Sequence, residues 1–260
     1  MDEATLATAA AAVVEARLAR RRLARLPALA SLDDGYQVQR RANGRLEASL
    51  GMRVGHKIGG TTEAMRRYIH APEPLGGEIF ASQVHPDGAT VRRSEHVRLG
   101  IETEIAVRLA IALPPRPELY GRDEMADAVA AMMAAIELVD DRYVDFAAIG
   151  APTLVADNAF DAGSVLGAPV TRWHGLALDQ LTARTFRDGL LIAEGRSDSL
   201  LGHPLDALAW LANSRSRLGL GLAAGTFVSL GTMTQVQWVE GPSLWRIEVE
   251  GLGAVSVRVA

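Results

Sequence analysis

Cysteine is absent from all 260 residues, which excludes disulfides, thiolate metal sites and a cysteine nucleophile together. That absence is compatible with a reducing cytoplasm, where the protein is expected to reside. Aromatic residues make up only 5% of the chain, which argues against an aromatic-rich binding surface. An excess of positive charge is missing as well. Lys and Arg number 27 against 31 Asp and Glu, a formal net charge of −4, so no global positive field draws the chain to nucleic acid or anionic lipid. No uninterrupted apolar run approaches the ~18 to 20 residues of a membrane span. Asp2 and Glu3 precede the first alanine run and the arginines follow it, the reverse of the charge order in a secretory signal. What remains is the composition of an ordinary globular protein, 48% hydrophobic and 22% charged, long enough to bury a substantial core. The expected partners are small molecules and further copies of the chain.

Residues 2–50 read as helical, rich in Ala, Leu, Val and Glu, with Leu26-Pro27 ending the first helix and a second running from Asp33 or Asp34 to about Leu50. Arg17, Arg20, Arg21, Arg22 and Arg25 are interleaved with leucines at helical spacing and read as a solvated face. From Gly51 the texture changes to short β-like runs at 53–58, 77–80, 90–93 and 100–110. A helix is expected from Asp123, as N-cap, through Met133, turning into Ile136-Glu137-Leu138-Val139. Another helix is expected at 204–218, followed by strands at 226–230, 234–239, 244–250 and 255–259. No linker or repeat divides the chain. The expected division is a helical N-terminal segment, 1–50, leaning on one mixed, strand-rich domain, 51–260.

The run Gly100-Ile101-Glu102-Thr103-Glu104-Ile105 carries the sharpest chemical signal. On a strand, Glu102 and Glu104 leave the same face about 7 Å apart, with Ile101, Ile105, Val107 and Leu109 on the other. Such a pair is either the wet side of a half-buried strand or a holder for a hard divalent cation, which prefers carboxylate oxygens. Glu137 is a third candidate, a single acid inside an otherwise apolar run, where an unpaired buried carboxylate would be costly. Three glutamates suit Mg²⁺ or Mn²⁺ with positions left open for water and a chelating substrate, whereas no histidine pair has zinc-ligand spacing. Lys57, in Val54-Gly55-His56-Lys57-Ile58-Gly59-Gly60, either snorkels at a strand end or pairs with a carboxylate or an anionic ligand. Neither a phosphate-binding loop nor a Gly-x-Ser-x-Gly elbow occurs, which leaves nucleotide binding and serine hydrolysis unsupported.

Taken in order, Gly55-His56-Lys57-Ile58-Gly59, Gly77-Glu78-Ile79-Phe80, Glu102-Thr103-Glu104-Ile105-Ala106, Ala135-Ile136-Glu137-Leu138-Val139-Asp140, Ala156-Asp157-Asn158-Ala159 and Gly231-Thr232-Met233-Thr234 give a pattern. It resembles the 2-keto-4-pentenoate hydratases and 4-oxalocrotonate decarboxylases of the fumarylacetoacetate hydrolase superfamily, from about residue 35 to the end. The resemblance implies an α+β mixed β-roll that assembles as a homo-oligomer and binds Mg²⁺ or Mn²⁺ through Glu102, Glu104 and Glu137. Lys57 would then stabilise the enolate of a 2-oxo acid substrate. Hydration and decarboxylation of unsaturated 2-oxo acids, of the 2-hydroxypenta-2,4-dienoate or 4-oxalocrotonate type, are the leading activities implied. Hydrolysis of a C–C bond in acylpyruvates and a non-catalytic accessory subunit are the alternatives.

The choice of acid or base separates these outcomes. The hydratase pattern has an acid two residues after the position of Phe80, but here that residue is Ser82. Glu63 and His70 lie in the 61–74 segment that covers the site in the family, and as a dyad they would direct a hydrolytic water. Asp157 and Asn158 are candidates for orienting substrate or for forming a turn, and Thr232 and Thr234 for holding the substrate carboxylate. His56 should point away from Lys57, across the strand. His85, His96, His174 and His203 have no partner pattern and read as structural.

Overall fold

The computed structural model describes residues 1–23, 26, 29–143, 145 and 148–260. Helix α1 (Glu3–Leu18) is capped by Asp2, whose side chain accepts from the Thr5 amide at 2.7 Å. Leu6, Ala9, Ala10, Val13 and Ala16 recur at three- and four-residue spacing, and all are buried. The first helix therefore ends well before Leu26, and Pro27 and Arg25 lie outside the described residues. Helix α2 (Leu32–Leu50) opens on a capping box between Ser31 and Asp34 and stops at Gly51, whose φ of 79° suits glycine. Its apolar face packs with α1 and with the later helix α5 (Ala151–Ala156), joined by Leu75 and Ile69.

Two mixed sheets form the rest. The first comprises β1 (Arg53–Gly59), β2 (Leu75–Phe80), β3 (Val84–Pro86), β5 (Leu99–Leu109), β6 (Val129–Asp140), β7 (Asp161–Leu166) and β10 (Phe227–Thr232), in the order β2-β1-β10-β5-β6-β7-β3, with β11 (Gln237–Trp238) paired to β5. The second comprises β4 (Ala89–Val91), β8 (Thr182–Arg187), β9 (Leu190–Arg196), β12 (Ser243–Val249) and β13 (Gly253–Val259), in the order β4-β13-β12-β8-β9. β1 runs parallel to β10 and β3 to β7, while β5, β6 and β7 are antiparallel neighbours. The short helices α3 (Glu63–Tyr68) and α4 (Arg122–Ala128) and the longer α6 (Pro204–Arg217) complete the α+β arrangement expected from the sequence.

The main core lies between the sheets. Ile101, Ile105, Val107 and Leu109 of β5 and Ile136 and Leu138 of β6 meet Trp245, Ile247, Val249, Val255, Val257 and Val259 of β12 and β13. Each such side chain, fully buried, contributes about 1.5–3 kcal/mol over an exposed one. The opposite face of β5 and β6 carries the glutamates and a smaller cluster that includes Ala106, Met133 and Ala135. Period-2 alternation thus separates the core from the chemistry.

Several elements differ from the expectation. The helix beginning near Asp123 has Gly121 as N-cap and ends at Ala128, and 129–133 are the start of β6. The Ala and Met residues there favour helix on their own, but a central strand covered on both faces favours apolar residues on both of them, and packing overrides propensity. The strand expected at 234–239 is reduced to Gln237–Trp238. The sequence reading assigned no strand to β7, β8 or β9, or helix to α5.

Candidate active site

β5 and β6 pair with Glu102 directly opposite Glu137, and Glu104 stands two residues along the same face, paired on its other side with Thr232 of β10. One oxygen from each of the three carboxylates lies within 4.8 Å of the others. Glu104 and Glu137 are 0% and 1% exposed. This face is not the wet side of a strand.

Glu104 Oε2 accepts from Ser229 Oγ at 2.5 Å and from the Gly231 amide at 3.0 Å. Glu104 Oε1 and Glu137 Oε2 have no hydrogen-bond donor. Burial and the neighbouring Glu137, opposed by the Lys57 ammonium, push the Glu102 carboxyl up to about 7, and burial with neighbouring carboxylates pushes Glu104 well above its ordinary value. Oxygen-only donors, like charges crowded together and buried lone pairs without donors fit a hard divalent cation.

Lys57 sits mid-strand on β1, in register with Ser229 of β10 and Gly77 of β2. It is 2% exposed, so its ammonium does not snorkel. Nζ forms an ion pair with Glu137 and donates to the Ala159 carbonyl at 2.5 Å. Burial opposes its charge, but Glu137 and Glu102 outweigh burial and hold the ammonium above its ordinary range.

An unusual backbone supplies that carbonyl. Asn158, Ala159 and Phe160 have φ of 59°, 50° and 66°, three consecutive non-glycine residues in the left-handed region. Each costs of order 1–3 kcal/mol unless its surroundings enforce it. The Asn158 side chain does so by accepting from the Glu78 amide at 2.8 Å, donating to the Glu78 carbonyl at 2.5 Å and accepting from Asn43 at 3.1 Å. Gly77 leaves the space this needs, since a Cβ there would stand 2.8 Å from Lys57 Cγ and 2.9 Å from the Asn158 carbonyl oxygen.

Lys57 and Glu102 line a cavity of about 820 Å³ together with Thr232 and Thr234, and α3, Phe160, Leu154 and Trp238 wall it. Asp157 and Asn158 do not line it. Asp157 is buried in a bidentate ion pair with Arg142 Nε at 2.9 and 3.2 Å, and Asn158 is spent on the Glu78 backbone. Direct substrate contact is therefore replaced by support from behind. Glu63 and His70 are exposed, and Glu63 pairs with Arg67 one turn along α3. From their segment it is Thr61, Thr62, Ala64, Met65, Tyr68 and Ile69 that reach the cavity. Ser82 is exposed and also outside the lining. His56 points away from the cavity toward Glu78, Arg53 and Arg215, and burial there pushes its pKa down to about 3.

The sequence reading missed Glu194 of β9, which lines the cavity, and Asp161, which lies behind Lys57 in an ion pair with Arg17 at 3.1 Å. Arg17 is buried against this site rather than part of a solvated face. Nothing local in the sequence marks it, because its partner is 144 residues away.

A family model described as fumarylacetoacetate (FAA) hydrolase C-terminal matches residues 71–260. The chain belongs to this family. A 2-keto-4-pentenoate hydratase of Paraburkholderia phymatum is 32% identical over 258 residues, 98% of this chain and 97% of that protein. A 4-oxalocrotonate decarboxylase of Pseudomonas putida is 30% identical over 225 residues, 86% and 84% of the two. Among solved structures, 4-oxalocrotonate decarboxylase from Pseudomonas putida G7, complexed with magnesium and adipate, superposes with a TM-score of 0.93 at 26% identity, covering 100% of this chain and 99% of that one. Within the family fold, the carboxylate face of β5 and β6 and the Lys57 strand β1 are the elements that shape this chain's cavity.

Proposed function

We propose that this protein is a divalent-cation-dependent lyase that hydrates or decarboxylates unsaturated 2-oxo acids from aromatic-ring catabolism. The observation that carries the reading is the convergence of three carboxylates, two of them buried and Glu102 half-buried, with one buried lysine beside a large cavity. The relatives' names point the same way.

Glu102, Glu104 and Glu137 would hold Mg²⁺ or Mn²⁺, which when bound supplies a Lewis acid for the substrate's carboxylate and 2-oxo oxygens. Lys57, fixed between Glu137 and the Ala159 carbonyl, stabilises the negative charge that grows on the 2-oxo oxygen. Thr232 and Thr234 hydrogen-bond the substrate carboxylate at the rim of β10. With the charge accommodated there, two outcomes balance. In hydration, the oxygen of water bonds to the far carbon of the conjugated double bond, the electron pair moves to the 2-oxo oxygen, and a proton enters at the nearer carbon as the carbonyl reforms. In decarboxylation, the C–CO₂ bond breaks, the same oxygen receives the electron pair, and a proton replaces CO₂.

The acylpyruvate hydrolase alternative is not supported, because Glu63 and His70 do not face the cavity. The intact set of Lys57 and three glutamates favours catalysis over an accessory subunit. Among the described residues no helix is long and apolar enough to cross a membrane. We place the protein in the cytoplasm as a homo-oligomer, an assembly that sedimentation of the purified chain would check.

The deciding experiment is a mass balance on the purified protein with Mg²⁺ and a dienoic 2-oxo acid, with and without chelator. A chelator-sensitive gain of one water or loss of CO₂ is the expected result. Cleavage to pyruvate plus a carboxylic acid, or turnover indifferent to chelator, would overturn the proposal.

A further inference from the structure

We infer that the end of the substrate remote from its 2-oxo acid group is an uncharged hydrocarbon, so that this chain takes monocarboxylic rather than dicarboxylic 2-oxo acids. The inference rests on the reading of the cavity as a 2-oxo acid site and adds the chemistry of its far end. At about 820 Å³ the cavity is of the size that holds drug-sized ligands, with room beyond a 2-oxo acid head.

Among the described residues, only three charged side chains line the cavity: Lys57, Glu102 and Glu194. Lys57 is committed to Glu137 at the carboxylate end. Glu194 is negative and paired with Arg184 at 2.8 Å, so that it repels a second substrate carboxylate and occupies the nearby guanidinium. The other nearby cations are also engaged. Arg66, on α3, donates to the carbonyls of Gly60 and Thr61 at 2.9 and 2.8 Å. Arg98 stacks on Trp238 and pairs with Asp141 at 3.2 Å, and neither arginine is among the lining residues.

What faces the substrate's tail is apolar, including Met65, Ile69, Leu154, Phe160 and Trp238. A carboxylate placed there would lose its hydration with no counter-ion to replace it. A hydrocarbon tail would gain by leaving water. Thr61, Thr62 and Gln235 add polarity but no charge.

The test is a matched pair of inert analogues, 2-oxohexanoate and 2-oxoadipate, titrated into the protein with Mg²⁺ by calorimetry. The corresponding 3-enoic monoacid and diacid, whose double bond is conjugated with the 2-oxo group, would then be compared for kcat/KM. The monoacid is expected to be favoured by about tenfold or more in both measurements, the consequence of burying an uncompensated charge. Equal or better binding and turnover of the diacid, with or without loss of CO₂, would overturn the inference and leave the proposed function standing. Absence of Mg²⁺-dependent binding by either analogue would instead remove the 2-oxo acid reading and the inference with it. Met65→Lys places a cation on the apolar wall, and it should narrow or reverse the preference while leaving Mg²⁺ affinity unchanged. A preference that does not move in a folded Met65→Lys variant overturns the assignment of this wall to the tail.

Discussion

The cluster of Arg17, Arg142, Asp157 and Asp161 and the cluster of Lys57, Glu102, Glu104 and Glu137 lie side by side behind and beside the same cavity, and apart from the half-buried Glu102 their side chains are withdrawn from water. In the first, each arginine meets a carboxylate, Arg17 with Asp161 and Arg142 with Asp157 and Asp140. Burial opposes the Arg142 charge, but Asp157 and Asp140 more than restore it, and its pKa is raised. In the second, three carboxylates share one ammonium, and buried carboxylate oxygens are left without donors. The first cluster is matched in charge within the chain, Arg17 and Arg142 against Asp161 and Asp157, although Arg17 Nη1 and Asp161 Oδ1 lack hydrogen-bond partners. The second is complete only with a cation, so the same raw material serves architecture in one place and chemistry in the other.

That contrast is open to test from both sides. Arg142→Met should show the largest effect, because it strands Asp157 in a dry interior, and removing one partner of a buried pair costs about 3–5 kcal/mol. Urea denaturation would measure it, and the double replacement Arg142→Met with Asp157→Leu should recover much of the loss. A single variant as stable as the parent would show that the first cluster is not the matched one. Glu104→Gln should act in the opposite sense. It is expected to lower Mg²⁺ or Mn²⁺ affinity by about 100-fold or more, since even outer-shell changes cost 10–100-fold, while the metal-free protein becomes no less stable. Unchanged affinity in calorimetry would remove Glu104 from the metal site.

The pH dependence follows from the same crowding. Folding raises the pKa of Glu102 to about 7 and raises those of Glu104 and Glu137, so the metal-free fold favours the protonated forms. Their stabilisation is full below the unfolded glutamate pKa of about 4.3 and is lost as the pH rises through the folded values. The metal-free protein should therefore melt lower at pH 8 than at pH 5, and Mg²⁺ should raise Tm more at pH 8, where it need displace fewer protons. A metal-induced rise in Tm that is the same at both pH values would contradict this.

The unmatched cluster was legible in the sequence because its signal is local: acids at period 2 in one apolar strand, and a lone acid in another. Asp157 and Asn158 were visible as a pair but not in their roles, since the turn at Asn158, Ala159 and Phe160 sends one to Arg142 and the other to Glu78. Arg17 looked like its neighbours Arg20 and Arg21, and only the docking of α1 beside β7 buries it. The matched cluster is built from contacts far apart in the chain, which no short window reveals. The same holds for the boundary between α4 and β6, where neighbours on both sides of the sheet decide that 129–133 extends.

Between the two clusters stands Gly77, and Gly77→Ala should move Lys57 without breaking either set of ion pairs. An added methyl would press on Lys57 Cγ and on the Asn158 carbonyl oxygen. Because small misplacements of a catalytic group are costly, turnover is expected to fall by about tenfold to 100-fold with little change in Mg²⁺ affinity. Equal losses of metal binding and turnover would mean that the methyl disturbs the carboxylates instead.

The smallest effect is expected at the lid. α3 turns 3.6 residues per revolution, so the residues that face the cavity, Ala64, Met65 and Tyr68, leave Glu63 on the solvent side with Arg67. His70 follows just past the helix, exposed and with a φ of 53°. Glu63→Gln and His70→Ala should each leave kcat and KM within about twofold of the parent, since exposed side chains away from the cavity rarely shift a free energy by more than about 0.5 kcal/mol. A loss of 100-fold in either variant, with metal affinity intact, would mean that the segment closes over substrate in a different rotation. That would return the hydrolytic dyad, and with it C–C cleavage, to the centre of the chemistry.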